Sequence, residues 1–464
     1  MEAEYLLAVP SRTKGREAST GVIPGRFALS VGHPALPTPP GWKWTKLSDV
    51  ARLESGHTPS RRHPEYWDGE VPWIGIKDAV DNHGRTINDT YQHVTELGLA
   101  NSSARLLPKN TVCLSRTASI GYVTVMGRPM ATSQDFVNWV CSDGIEPQFL
   151  KAILIAEHES LWRFASGTTH QTIYYPEVKA FHVCLPPIQE QRAIARILSS
   201  LDDKIELNQQ MNRTLEAIAR AIFKSWFVDF DPVRAKMDGS QPVGMDAATA
   251  DLFPDEFEES HLGKIPKGWK VGTIETECRL TMGQSPKSEF YNVTGDGLPF
   301  HQGVTNFGTR FPTHKTFCSV SERTANTGDI LFSVRAPVGR INVADKKIII
   351  GRGLSAIRHN QNYQSFLLYH LFHTFKEEDS IGTGTIYASV TRKEMQEIKL
   401  IIPLAAIVNF FDNQVKVIDK KIANNEKEAR TLSRTRDILI PKLLSGKIQL
   451  KDAEKLAEMA AYGK

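Results

Sequence analysis

Two stretches of the chain carry apolar residues at alternating three- and four-residue intervals, the spacing that lines one stripe of an α-helix. In the first, Ile194, Leu198, Leu201, Ile205, Asn208, Asn212, Leu215, Ala219 and Ile222 share the stripe. In the second, Phe411, Val415, Ile418, Ile422, Asn425, Ala429, Leu432, Arg436 and Leu439 do. This is a heptad seam. Pro186-Pro187 and Pro403 mark where helix can begin, because proline suits a first helical turn and disfavours helix before it. Neither helix can bury such a stripe alone, so the two are expected to pack on each other, antiparallel, with a globular domain at either end. Asn208 and Asn425 fall at equivalent seam positions, where a buried amide would select one register and a solvated one would select nothing.

The segments before each helix hold short apolar runs punctuated by Gly and Pro, such as Thr111-Val112-Cys113-Leu114, Tyr122-Val123-Thr124-Val125 and Lys347-Ile348-Ile349-Ile350, and read as mixed α/β domains. The two segments are copies. Gly41-Trp42-Lys43 recurs as Gly268-Trp269-Lys270, Ser55-Gly56-His57-Thr58-Pro59 as Met282-Gly283-Gln284-Ser285-Pro286, and Val71-Pro72-Trp73 as Leu298-Pro299-Phe300, all at an offset of 227. Leu114 to Gly121 aligns with Phe332 to Gly339 at 218, and Asp202, Lys204 and Ile205 return as Asp419, Lys421 and Ile422 at 217. An ordered series with nearly constant spacing is a duplication. The expected fold class is therefore α+β (mixed α/β): two globular domains separated by two long helices packed as an antiparallel coiled coil, with an internal pseudo-twofold repeat. The expected divisions are an N-terminal extension over 1–39, poorly ordered, a first domain over 40–187 and a first helix over 188–230. A connector over 231–266, a second domain over 267–403, a second helix over 404–446 and a tail over 447–464 complete the chain.

Composition changes this picture little. The 464 residues are 41% hydrophobic and 23% charged, as in folded proteins, and the run Leu400 to Val408 is too short for a membrane span. No secretory signal pattern follows Arg12, Lys14 and Arg16, so a cytoplasmic location is expected. The five cysteines, Cys113, Cys141, Cys184, Cys278 and Cys318, are odd in number and dispersed, which argues for reduced packing residues rather than a disulfide framework or zinc site. The net charge of +4 hides unlike parts: −5 over 246–266, +5 over 267–403 and +4 over 404–464. The acidic connector is expected to be a solvated linker or, more sharply, a docking surface for a basic partner.

Enzymatic signatures are missing. Ser445-Gly446-Lys447-Ile448 lacks the first glycine and the hydroxyl of a phosphate loop, and no Asn/Asp-Pro-Pro-aromatic sequence stands where an adenine-amino methyltransferase would need one. Metal: none is expected, because no His/Cys combination has ligand spacing. What the repeat offers instead is two pairs of polar loops. Ser115-Arg116-Thr117 and Ser333-Val334-Arg335 follow an apolar strand and are bounded by Gly121 and Gly339, where backbone could approach a ligand. Guanidinium and hydroxyl groups are common donors to phosphates and guanine edges, so Ser115, Arg116, Thr117, Ser333 and Arg335 are candidate contacts to DNA. Thr168, Thr169, His170 and Gln171 in one glycine-rich loop, and Thr385 and Tyr387 in its copy, are further candidates. A structural role, through ion pairing or turn formation, competes for each.

At this point the chain resembles the specificity (S) subunits of type I restriction-modification systems. The resemblance rests on Leu185-Pro186-Pro187-Ile188-Gln189-Glu190-Gln191-Arg192-Ala193-Ile194, Ile222 to Val233, Ile265-Pro266-Lys267-Gly268-Trp269 and Ser166-Gly167-Thr168-Thr169. It covers about Gly41 to Gly446; Pro403-Leu404-Ala405-Ala406 departs from the Pro-Pro-x-x-Glu-Gln opening. The resemblance implies two target-recognition domains, each reading half of a split, asymmetric site in double-stranded DNA, with the helices as a ruler. It implies that two modification (methyltransferase) subunits and restriction (motor-nuclease) subunits are partners, and that S-adenosylmethionine, ATP and Mg act on those partners while this chain has no catalytic residue and binds no cofactor. A free-standing bipartite DNA-binding protein of repressor type is the alternative, and retention of a modification subunit separates the two.

Overall fold

The computed structural model describes residues 21–167, 171–375 and 389–462, which fall into two compact units. The first comprises residues up to Gln209 together with Glu426 onward, and the second runs from Gln210 to Asn425. The duplication expected from the sequence is thus built as one domain plus two antiparallel helix segments in each unit.

In the first unit a five-stranded sheet runs in the order Ala51–Ser55, Phe136–Cys141, Val112–Ser115, Val123–Met126, Thr86–Ile87. The helix Pro147–Ala156 follows and buries Phe149, Leu150, Ile153 and Leu154 in the same core as Val112, Leu114, Val125 and Trp139. In the second unit the corresponding sheet is Cys278–Met282, Leu354–His359, Ile330–Ser333, Ile341–Val343, backed by the helix Gln364–Thr374. A second, five-stranded sheet there centres on Leu298–His301 and Ile348–Ile350. All these strands are short, as frequent turns require.

The long helices run Ile188–Phe227 and Ala405–Leu444, each beginning just after the expected proline. In the first unit Ile194, Leu198, Leu201, Ile205, Leu432 and Leu439 are buried in one core, and Asp202 pairs with Arg436 at 2.9 Å. In the second unit Ala219, Phe411, Val415 and Ile422 are buried, whereas Leu215 and Ile418 are half-buried at the margin of the seam. Here Asn425 Nδ2 donates to Asn212 Oδ1 at 2.9 Å, and Asn212 Nδ2 donates to the Ile422 carbonyl. The amide that Asn425 finds is therefore Asn212, one turn beyond its repeat equivalent Asn208. The repeat mate of Asn212 is Ala429, so the symmetry-related amide pair cannot form, and the buried Asn208 Nδ2 has no hydrogen-bond partner among the described residues.

The helices also hold their domains. In the first unit Gln191 accepts from Glu146 N and donates to the Pro186 carbonyl, fastening the start of Pro147–Ala156. The equivalent residue in the second copy is Val408, and Asp412 does the work instead, accepting from Ser365 N and Phe366 N at the start of Gln364–Thr374. The role that the Gln-Glu-Gln-Arg opening leaves in doubt is thus filled by a different side chain one turn along.

Three of the expected divisions carry more structure than the sequence announced. The extension over 1–39 is not wholly outside the fold: Ile23–Pro24 and Leu29–Val31 form strands, and Leu29–Val31 pairs with Phe181–Leu185. Burial of Ala28, Leu29 and Val31 provides the reason, together with the buried carboxylate of Glu157, which accepts the backbone N–H groups of Arg26, Phe27, Ala28 and Leu29. The connector over 231–266 is not a loose linker, since Val233, Phe253 and Ile265 join Phe223, Phe227, Phe230, Trp269 and Phe411 in one core. Its acidic residues Asp246, Asp251, Asp255, Glu256, Glu258 and Glu259 are exposed. The tail over 447–464 contains the helix Leu450–Tyr462, whose Ala453 and Ala457 are buried against the first unit's core.

The repeats differ at one sheet edge. Cys184 N donates to the carbonyl of Ala28, just before the added strand, whereas the equivalent Ile401 N donates to the Nε2 of His370 at 3.1 Å. The imidazole replaces a backbone carbonyl as acceptor, which only the neutral ring can do.

Substituting Glu157 by Ala strands four backbone donors, so a loss of about 3 kcal/mol or more is expected in denaturant titration. Amide exchange at 26–31 should accelerate in that variant; unchanged protection there would contradict the anchoring role. Burial pushes both His301 and His370 down to about 4. The unfolded chain takes up these protons near the ordinary value of about 6.5, so the stability they contribute is full above that pH and falls as pH drops toward 4, by about 2 kcal/mol each at pH 5. Melting temperatures followed from pH 7 to 5 should fall less steeply in the H301Q/H370Q double variant than in the parent.

Candidate DNA-contact loops

In each domain the loop after the third strand of the main sheet turns on a buried serine. Ser115 Oγ donates to the Ser119 carbonyl and accepts from Tyr122 N at 2.9 Å; Ser333 Oγ donates to the Pro337 carbonyl and accepts from Arg340 N at 2.8 Å. Both residues are wholly buried. Ser115 and Ser333 are therefore corrected from ligand contacts to staples that shape the loop. Gly121 and Gly339 close it with φ of 90° and 89°, so glycine serves the turn itself rather than the approach of a ligand.

In the first domain the two loops meet, and in the second the residues that follow the glycine-rich loop reach the Arg335 loop. Ala118 N donates to the Gln171 carbonyl at 3.1 Å and Thr117 bridges to Thr172 in the first domain. In the second, Arg335 bridges to Ser389 and Val390 N donates to the Val334 carbonyl. Thr168, Thr169, His170, Thr385 and Tyr387 lie outside the described residues. The guanidinium groups differ between copies. Arg116 is half-buried, stacks 4.8 Å over Tyr175 and donates to the Gln134 carbonyl at 3.1 Å. Arg335 is exposed.

A third loop joins the cluster, and sequence reasoning had treated its residues only as markers of the repeat. At Gly56 a Cβ would meet the Ser133 carbonyl oxygen at 1.9 Å, and at Gly283 the Gly351 carbonyl oxygen at 2.2 Å. Glycine at this position lets the turn Ser55-Gly56-His57-Thr58 close on residues 132–135, and Met282-Gly283-Gln284-Ser285 close on residues 350–353. Thr58 then donates to Gln134, while Ser285 donates to Gln302 at 2.7 Å and accepts from Arg352 N. Gln134, Gln284, Gln302 and Arg352 are exposed. Nearby in sequence, Arg61 stacks 3.6 Å over Trp67 and donates to Gln92. The signal available in the sequence was the repeat match itself, because a glycine followed two residues later by a hydroxyl and then proline recurs at both sites.

Such a surface presents amide, hydroxyl and guanidinium groups on backbone that is fixed by hydrogen bonds. It suits contacts to phosphates and base edges. Burial raises the thiols of Cys113, Cys141, Cys184 and Cys278, the last to about 12, which removes them as nucleophiles at neutral pH. Among the described residues no group of three His, Cys, Asp or Glu side chains is placed to hold a metal ion, and no helix is long and apolar enough to cross a membrane.

Comparison with known proteins agrees with the duplicated layout. A family model described as type I restriction modification DNA specificity domain matches residues 39–217 and again 266–430. The type I restriction enzyme MjaIX specificity subunit of Methanocaldococcus jannaschii is 27% identical over 428 residues, covering 89% of this chain and 95% of that protein. The HindI specificity subunit of Haemophilus influenzae is 27% identical over 476 residues, covering 88% and 99%. A crystal structure of a type I restriction-modification system S subunit from M. genitalium is 17% identical, with a TM-score of 0.53 over 89% of this chain and 98% of that one, which shows a shared fold. Because the family model accounts for both copies of the repeat and for most of the chain, this protein belongs to the type I restriction-modification DNA specificity family.

Proposed function

We propose that this chain reads a bipartite, asymmetric site in double-stranded DNA, one half-site per recognition domain, and gives a restriction-modification complex its sequence specificity. The observation that carries this reading is the loop cluster built twice on the same scaffold with different side chains: Thr58, Gln134 and Arg116 in one domain, Ser285, Arg352 and Arg335 in the other. Equal scaffolds hold the loops alike, while unequal side chains call for unequal half-sites. Two weak contacts joined by a stiff spacer act as one tight contact when the half-sites match its span.

The long helices are the proposed docking surface for two modification subunits. Leu207, Ile218, Val417 and Ile438 are exposed apolar residues on them. In the first unit a groove of about 710 Å³ runs between the first long helix and Leu450–Tyr462, lined by Ile197, Leu201, Leu207, Ala457 and Ala461. Arg196, Asp203, Lys204, Glu454 and Glu458 line it as well, and such a mixed surface fits an incoming amphipathic helix. In this reading the partners bring S-adenosylmethionine, ATP and Mg with adenine-N6 methylation and motor-nuclease activity, and this chain has no cofactor of its own.

Mapping methylated adenines in DNA from a host that expresses the chain with its modification subunits tests the reading directly. A split motif with two unlike halves is expected; methylation without a shared motif would refute it. Inserting one heptad into each long helix, after Gln209 and after Asn425 so that the Asn212–Asn425 pair is kept, lengthens the spacer by about 10 Å, or roughly 3 base pairs, and should shift the preferred gap accordingly. An unshifted gap in an assembled complex would refute the ruler. Arg335→Ala should weaken DNA binding by the complex more than Arg116→Ala, because the Arg116 guanidinium is partly committed to Gln134 and Tyr175; filter binding at moderate salt would show the order.

A further inference from the structure

Each recognition domain carries an arginine at the same structural position. The Arg85 carbonyl accepts from Val125 N at 3.0 Å, and the Arg310 carbonyl accepts from Val343 N at 2.9 Å. Val125 and Val343 are repeat mates, so the two backbones are equivalent even though the second copy is shortened between them. Each guanidinium reaches a long helix within its own unit.

Arg85 bridges to Glu206 at 3.0 Å and donates to Gln209, both on the first long helix. Arg310 is 3% exposed and engages two helices at once: Glu216 on the first, at 3.4 Å, and Asp419 on the second. It also donates to the Tyr369 hydroxyl at 3.2 Å, and Tyr369 and Ser365 in turn donate to Asp419. A planar guanidinium with donors on separate nitrogens can hold two carboxylates in a fixed relation, which a single ammonium cannot. A polar contact to one helix restrains the domain's roll about that helix's axis only in part. Contact to two restrains it more fully.

We propose that Arg85 and Arg310 are positioning residues that set the angle at which each recognition domain sits on its helices, and so the gap between half-sites that the complex accepts. The proposal rests on the bipartite reading above. It separates two determinants of spacing: helix length sets the span, and these arginines set the direction in which the reading loops are presented from its ends. It also assigns the two domains unequal rigidity, since Arg310 is buried between two helices and Arg85 is half-exposed beside one. Relaxation should therefore be greater when Arg310 is changed.

The test uses the chain assembled with its modification subunits and duplexes whose half-sites are separated by the preferred gap or by one or two base pairs more or fewer. Methylation rates are compared as ratios between gaps. In R310K, which keeps the charge and loses the fork, the relative rate at gaps one base pair from the preferred one should rise about tenfold, with base preference inside each half-site unchanged. R85M should raise it less, and because its side chain is half-exposed this variant folds even if substitution of Arg310 impairs assembly. E216Q, which weakens one arm of the fork, should fall between the parent and R310K. If the variants lower the rate or the melting temperature while keeping the parent's gap profile, the arginines only stabilise the fold and the proposal is overturned. A parent complex indifferent to the gap would instead refute the bipartite reading, and the positioning role with it.

Discussion

Burial of one apolar stripe on each long helix is the constraint from which the rest of the structure follows. A 40-residue helix with a mixed sequence cannot remain folded in water on propensity alone, so each must find a surface that covers its stripe. The covering surface is the other helix, run antiparallel, and the amide pair of Asn425 and Asn212 holds it in register. Slippage by one turn away from Asn208 would strand both amides among apolar neighbours, where an unpaired polar group costs more than a pair returns, while slippage the other way would exchange Asn212 for Asn208 as the partner. The pair occurs in one unit only, since Ala429 stands where its symmetry mate would need an asparagine. Duplication produced a twofold pattern, and divergence kept the polar register mark on one side of it.

The same helices are also the attachment points of the domains. Gln191 and Asp412 reach from them to cap a domain helix, and Asp202 and Asp419 are repeat mates that bind domain side chains, Lys151 in one unit and Arg310 with Tyr369 in the other. These polar contacts are directional, whereas the apolar contacts around them are not. Apolar burial keeps each domain against its helices; hydrogen bonds and ion pairs decide its angle. For a protein that supplies specificity to partner enzymes, that angle is where fold and function meet.

Seen this way, the absence of catalytic sequence signatures and the conservatism of the scaffold belong together. The loop cluster depends on buried serines, Ser115 and Ser333, and on glycines that allow close approach at Gly56 and Gly283. These residues shape the surface without being part of it. The side chains that remain exposed, Gln134 and Arg352 at equivalent positions and Arg335 beside them, are free to differ between copies because the backbone does not depend on them.

The sequence by itself determined the repeat, the two heptad helices, their proline-marked starts and the mixed domains, because periodicity and spacing are local properties that survive without knowledge of contacts. It also singled out the Arg116-Thr117 loop and the glycine-rich loop that includes Gln171, but their adjacency came only from the fold. Only the tertiary structure decided which polar residues face inward: Ser115 and Ser333 read as ligand contacts and proved to be staples, because burial depends on what folds over a residue rather than on its type. The strand at Leu29–Val31 was hidden for a similar reason, since its partners are Phe181–Leu185 and the carboxylate of Glu157, about 150 and 130 residues away, and no local pattern reports a pairing of that range. Arg85 and Arg310 lay outside every motif because the acids they engage are on helices far along the chain, and a guanidinium's role is set by which carboxylates the fold brings within reach.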